Sequence, residues 1–375
     1  MINFISNQPR GVSSGGAAAL SAAAGAALET RHAVTYVGPI DPAVDRLAKA
    51  RSKALRVSGL GGDFVAFAEP RLARIAGEVE RLARRDAALD VFLGFTSWVS
   101  TRPPRPYLAL SDCAFHDYVG IFHDRRRFRA GDLDRIEQAE ARWLRAAARV
   151  LFTSDWAAGR AIGRYGLDPA RVGVVGIFGN IEPPARDTFA GGATFAFIST
   201  DFAAKGGPIA LAGFRTLRSR HPEARLVIVG APPTGGPLAP GAEYAGFLRK
   251  DVPAEAARFR AILASSVALV HPTRADISPH VLIEAAQFGC PTIAPGAFAI
   301  PELLEHGRTG LLVDAPPTPD AIATAMAWTL EHPEAYAEMR AAAWRRARAM
   351  HARARFEARL LAQIDASLAE TMAAA

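Results

Sequence analysis

Short apolar runs alternate with amphipathic stretches along most of the chain. INFIS (2–6), HAVTYVG (32–38), LRVSG (55–59), DVFLGF (90–95), YLALS (107–111), VLFTS (150–154) and VGVVG (172–176) have the length and composition of buried strands. Between them, segments such as RLARIAGEVERLARR (71–85) and RIEQAEARWLRAAA (135–148) carry apolar residues at helical spacing. Such alternation predicts an α/β fold with a parallel sheet. NIEPPARD (180–187) breaks the rhythm with two prolines and reads as a linker. A second series follows: FAFIST (195–200), RLVIVG (225–230), EYAGFL (243–248), VALVHPT (267–273), PTIA (291–294) and TGLLV (309–313). Residues 333–375 read as a basic helical tail. Two parallel sheets are therefore expected, with ligands outside the carboxyl ends of their strands.

Length and composition agree with two globular domains. The chain has 375 residues, half of them hydrophobic. The Ala-rich run Ala17–Leu28 is too short to span a membrane, and the strand-like INFIS before it argues against a signal peptide. Cys113 and Cys290 have no metal-like spacing and read as reduced thiols of a cytoplasmic protein. Net charge is +7, and only Lys49, Lys53, Lys205 and Lys250 are lysine. The densest basic stretch, Arg125, Arg126, Arg127 and Arg129 around Phe128, reads as a solvated loop in preference to a lipid-binding patch. No zinc-finger or RNA-binding signature accompanies it, so nucleic acid is not an expected partner.

Candidate chemistry concentrates in residues 276–312. Asp276 and Glu284 are eight residues apart, and Ser278-Pro279 between them read as the cap and first position of a helix. Helix amides and dipole attract phosphate, while carboxylates accept from sugar hydroxyls. An ordinary capped helix carries the same residues. NQPRGVSSGG (7–16), with Gly15 and Gly16, forms a strand-to-helix turn that suits a phosphate, although it is not GxGxxG. Lys205, followed by two glycines, closes a strand at the expected sheet edge and suits a diphosphate, or is a surface lysine. Phe247 and Leu248 read as a platform for a flat base, or as core. LALSDCAFHDY places Asp112 and His116 after a strand of the first domain.

These pieces together resemble glycosyltransferase family 4. The matching residues are Gly15-Gly16, TSDWAA and YGLDPARVGVVG within 153–176, KGG at 205–207, RLVIVGAPP at 225–233, VHPTRADISPHVLIEAAQFGCPTIA at 270–294 and IPELLEHGRTGLLV at 300–313. The resemblance implies a GT-B fold, two Rossmann-like domains facing across a cleft. It divides the chain into residues 1–182 on the acceptor side, 183–350 for the donor, and a C-terminal helix, 351–375, packing back on the first domain. It implies a retaining transfer from a nucleotide sugar to a glycan or lipid-linked acceptor, in cell-surface polysaccharide or glycolipid assembly. Lys205, Asp276, Glu284 and His116 are the implied catalytic residues. Gly15, Gly16, Thr200, Lys205, Gly230, Phe247, Leu248, Asp276, Ser278, Pro279, His280 and Glu284 are the implied donor-binding set. Asp112 and His116 fall on the acceptor side.

Three departures from the family pattern stand out. Asp276 replaces the usual Glu, Ser278-Pro279 replace Phe-Gly, and Thr200 replaces an arginine. A catalytically silent sugar-nucleotide-binding subunit, or a GT-B sugar-nucleotide epimerase, is the alternative. No cofactor is expected. Asp132 and Asp134 resemble a metal-binding DxD pair but read as structural, Asp134 with Glu137 having capping-box spacing; transfer is expected to be metal-independent. Weak association with the inner face of a membrane completes the expectation.

Overall fold

The computed structural model describes residues 1–12 and 15–374. Ser13 and Ser14 of the glycine loop, and Ala375, lie outside the described residues. There are two compact units. One is Met1–Ser13, Ala17–Gly176 and Phe356–Ala375; the other is Ser14–Gly16 and Ile177–Arg355.

The first unit holds strands β1 Ile2–Ile5, β2 Val34–Val37, β3 Leu89–Leu93, β4 Tyr107–Ser111, β5 Arg149–Phe152 and β6 Val172–Val174. They form one parallel sheet in the order β2-β1-β3-β4-β5-β6. Helices α1 Gly16–Glu29, α2 Arg46–Val57, α3 Glu69–Leu82, α4 Phe115–Phe122, α5 Ala130–Ala146 and α6 Asp155–Tyr165 connect them. Strands covered on both faces are apolar at most positions, and the polar Asn3 of β1 and Asp90 of β3 are bonded to each other at 2.8 Å. Every residue of β1 and β3 is buried. The Ala-rich α1 packs close to the sheet, and a Cβ on Gly25 would sit 3.3 Å from the Phe4 ring. Ser154 caps α6 by accepting from Ala157 N–H, and Gly166 ends it at φ 59°.

Two local expectations fail in this unit. LRVSG is not a strand: residues 55–57 complete α2, which starts at the Asp45 cap, where the carboxylate accepts from Leu47 and Ala48 N–H. Five residues of mixed polarity fit either state, and the cap upstream decides for helix. The Asp134–Glu137 capping box does not form, because α5 begins at Ala130. Asp132 instead accepts from Phe64 N–H at 2.6 Å and pairs with Arg135 at 2.8 Å, and Glu137 turns inward.

The second unit holds β7 Thr194–Ser199, β8 Arg225–Gly230, β9 Ala242–Gly246, β10 Ala268–Val270, β11 Thr292–Pro295 and β12 Gly310–Val313. Their order is β12-β11-β10-β7-β8-β9, again all parallel. This is the dinucleotide-fold strand order, with its switch point between β7 and β10. Helices α7 Gly207–Arg218, α8 Pro253–Ser265, α9 His280–Gln287, α10 Ile300–Leu303, α11 Pro319–Glu331 and α12 Pro333–Met350 surround it. Gly213 lets α7 meet α11, since a Cβ there would lie 2.8 Å from the Pro319 carbonyl. Arg340 of α12 is buried, bonded to Asp187 at 2.5 and 2.8 Å and to the Ser266 and Phe288 carbonyls. The last helix, α13 Arg353–Ala374, belongs from Phe356 onward to the first unit, where Asp365 meets His32 at 3.2 Å.

Candidate active site

The second unit gathers the candidate residues at its switch point. β7 ends at Ser199 and β10 at Val270, and Lys205 and Asp276 each stand six residues further on. Because the two strands are neighbours, equal loop lengths bring both side chains to one place. Gly206 permits the approach: it has φ 82°, and a Cβ would lie 2.0 Å from the Pro272 carbonyl. Lys205 Nζ pairs with Asp276 Oδ2 at 2.7 Å and donates to the Ala275 carbonyl at 2.7 Å.

Asp276 has a second partner, His271 Nε2 at 3.2 Å. His271 is buried and continues the sheet through its N–H to the Ile293 carbonyl. Burial alone would raise the Asp276 pKa. The contacts from His271 and Lys205 outweigh it and hold the carboxyl below its ordinary value, so it is ionised at neutral pH.

Glu284 lies in the second turn of α9 and is 1% exposed. Its Oε1 accepts from Asn180 N–H at 3.1 Å and from Lys250 Nζ at 2.5 Å. Lys250 also stands 4.8 Å from the Phe259 ring centroid. Neither Lys250, His271 nor Asn180 is among the candidates that the sequence offers. Lys250 is rare as one of four lysines, but its partner is 34 residues away.

The helix start differs by one residue from expectation. α9 begins at His280, with Pro279 in the cap position and no side-chain cap made there. Proline has no N–H, so the free amides at this end begin at His280. His280 Nδ1 lies 2.7 Å from the Phe178 carbonyl, and burial lowers its pKa. Ser278 is half-buried in the preceding turn.

Thr200, Gly230, Phe247 and Leu248 stand at or just beyond the carboxyl ends of strands in the same sheet. Thr200 follows β7 and is exposed. Gly230 closes β8 at φ 105°, where a Cβ would sit 1.9 Å from the Ser199 carbonyl, so only glycine fits. Phe247 is exposed and free of the core, whereas Leu248 packs against it. Gly15 has φ 91°, in the left-handed region, and Gly16 opens α1.

Asp112 and His116 lie in the first unit. Asp112 is exposed after β4. His116 is half-buried in the first turn of α4 and meets Glu137 Oε1 at 3.0 Å. Burial would raise the Glu137 pKa, but Arg164, Arg125 and His116 together hold it below the ordinary value. Beside it Glu140 is fully buried, and burial pushes its pKa up to about 7 against hydrogen bonds from Phe115 N–H, Thr96 and Tyr165.

Comparisons with known proteins bear on the fold and on the second unit. Residues 193–332 match the family model of glycosyl transferases group 1. No curated protein matches the sequence. Among solved structures, Anabaena Alr3699/HepE in complex with UDP superposes with a TM-score of 0.67 at 17% identity, over 97% of this chain and 99% of that one. Sucrose-phosphate synthase from Thermosynechococcus elongatus gives 0.69 at 16% identity, over 100% and 99%. WaaG, a glycosyltransferase involved in lipopolysaccharide biosynthesis, gives 0.67 at 13% identity, over 96% and 98%. At such identities likeness speaks for the fold. Residues 193–332 of the second unit thus match glycosyl transferases group 1, and the chain has the GT-B fold.

Proposed function

We propose that the protein is a retaining glycosyltransferase of the family 4 type. It moves a sugar from a nucleotide diphosphate sugar to a glycan or lipid-linked acceptor at the cytoplasmic face of a membrane, in polysaccharide or glycolipid assembly. The observation that carries this reading is the Lys205–Asp276 pair at the switch point, with Glu284 on the helix that follows.

The donor's ribose hydroxyls bind Glu284 and the sugar hydroxyls bind Asp276. The diphosphate lies against Lys205 and the N-termini of α7 and α9, whose amides offer positive potential. The acceptor hydroxyl attacks the anomeric carbon on the face that the diphosphate leaves. A new C–O bond forms, the bond to the diphosphate oxygen breaks with its electron pair, and that oxygen takes the acceptor's proton. Lys205 opposes the charge that grows there. No side chain needs to act as nucleophile.

The test is a melting-temperature screen across nucleotide sugars, followed by release of nucleoside diphosphate without acceptor. UDP-sugars come first, because HepE has been solved with UDP and with UDP-glucose. A donor that raises the melting temperature and is slowly hydrolysed supports the reading. A donor that binds without turnover, with or without glycan and lipid acceptors, refutes transfer and leaves a sugar-nucleotide binder.

A further inference from the structure

Helix α2 turns its apolar side to solvent. Its sequence, RLAKARSKALRV, has five cations and no acid, and only Ser52 is buried. That hydroxyl donates to the Asp63 carbonyl at 2.7 Å and marks the inner face. At about 100° per residue, Leu47, Ala50, Ala54 and Val57 share the opposite face. All four are exposed, Leu47 at 82% and Val57 at 76%. An ordinary surface helix lays such a stripe on the core. Here Lys49 and Lys53 flank it on one side and Arg51 on the other. None of Arg46, Lys49, Arg51 and Lys53 has an ion-pair partner among the described residues.

The patch continues beyond the helix. Leu60 is 72% exposed. Arg56 lies 5.3 Å from the Phe128 ring centroid. Gly62 N–H donates to the Arg127 carbonyl at 3.0 Å, and Arg129 N–H to the Gly62 carbonyl at 2.9 Å. The arginine loop is thereby fastened beside α2.

We propose that α2 is a surface anchor that seats the first unit on an anionic phospholipid bilayer. Leu47 and Val57 enter the headgroup boundary, and the flanking lysines and arginines meet lipid phosphates. The long cationic side chains can reach outward while their stems stay beside the apolar stripe. Like charge opposes pairing of this face with a second copy of itself. A helix of 12 residues lies on a membrane and does not cross it. The purpose of this anchor rests on the lipid-linked-acceptor reading above. Vesicle binding needs neither donor nor acceptor, so each can fail alone.

The test is co-sedimentation of the full chain with two vesicle types, phosphatidylcholine alone and phosphatidylcholine mixed with phosphatidylglycerol. Binding is expected only to the mixed vesicles and should weaken with added salt. Each cation near an anionic surface contributes about fivefold, so Lys49→Glu/Lys53→Glu should lose at least about tenfold. Leu47→Asp/Val57→Asp should lose as much. Leu82→Ser on α3 should bind like the parent. All variants should melt like the parent, because every changed side chain is exposed. Equal binding to both vesicle types, no binding to either, or patch variants that bind as the parent does would overturn the assignment. So would concentration-dependent dimerisation abolished by Leu47→Asp, which would give this face to a second copy.

Discussion

Replacing Lys250 by methionine isolates the electrostatics of the candidate ribose site. Glu284 keeps its carboxylate in the core with two donors on Oε1, the Lys250 ammonium and the Asn180 amide. Lys250→Met leaves that charge with one amide. Removing one partner of a fully buried pair is destabilising by about 3–5 kcal/mol. Here the two side chains are 29% and 2% exposed. The lysine is half-open to solvent, so about 2–3 kcal/mol is expected. Glu284→Gln should be milder, about 1 kcal/mol, because a freed lysine can turn to water. The double variant Lys250→Met/Glu284→Gln should be more stable than Lys250→Met alone, since no buried charge is then unpaired. For a unit of this size the single lysine change lowers the melting temperature by roughly 4–10 °C. Calorimetry of the four proteins completes a double-mutant cycle. Equal stability of Lys250→Met and the parent, or additive losses in the double variant, would show that the contact carries no coupling and that Glu284 is held by something else.

Lys205→Ala should reduce kcat by about a hundredfold with a smaller effect on nucleotide affinity, because negative charge grows on the departing diphosphate; steady-state kinetics with a raised KM at full kcat would contradict the leaving-group role. Glu140 gives the first unit a pH dependence. Its folded pKa, about 7, lies above the ordinary 4.5, so the folded state holds the proton more tightly. The resulting stabilisation is complete below the ordinary value and is lost as pH rises through about 7. Melting curves across that range should show this fall, and Glu140→Gln should abolish it. Breaking the buried contact between Asp187 and Arg340 by Asp187→Asn should destabilise the second unit by about 3 kcal/mol, read from chemical denaturation. Finally, transfer should survive exhaustive chelation with EDTA; activity lost there, restored by magnesium and lost again in Asp132→Ala, would make the Asp132 pair a metal site.

The local sequence determined most of the sheet architecture, because a strand covered on both faces is apolar at most of its positions. INFI, LDVFL, RLVIVG and TIAP announce themselves in that way. Glycines at enforced positions, such as Gly230, are also written into the chain as residues that nothing else can replace. LRVSG shows the limit of the method. Its composition satisfies a strand, yet the Asp45 cap recruits its first three residues into α2. The outward direction of that helix's apolar stripe was equally hidden, since periodicity fixes an angle between side chains and says nothing about where the core lies. Only the tertiary structure decided the charge partners. Lys205 meets Asp276 because β7 and β10 are neighbours in the sheet, and Lys250 reaches Glu284 from a separate loop. The first is set by strand order and the second by loop path. Both arise from packing between segments distant in the chain, where the energy of a contact depends on what else is excluded from it.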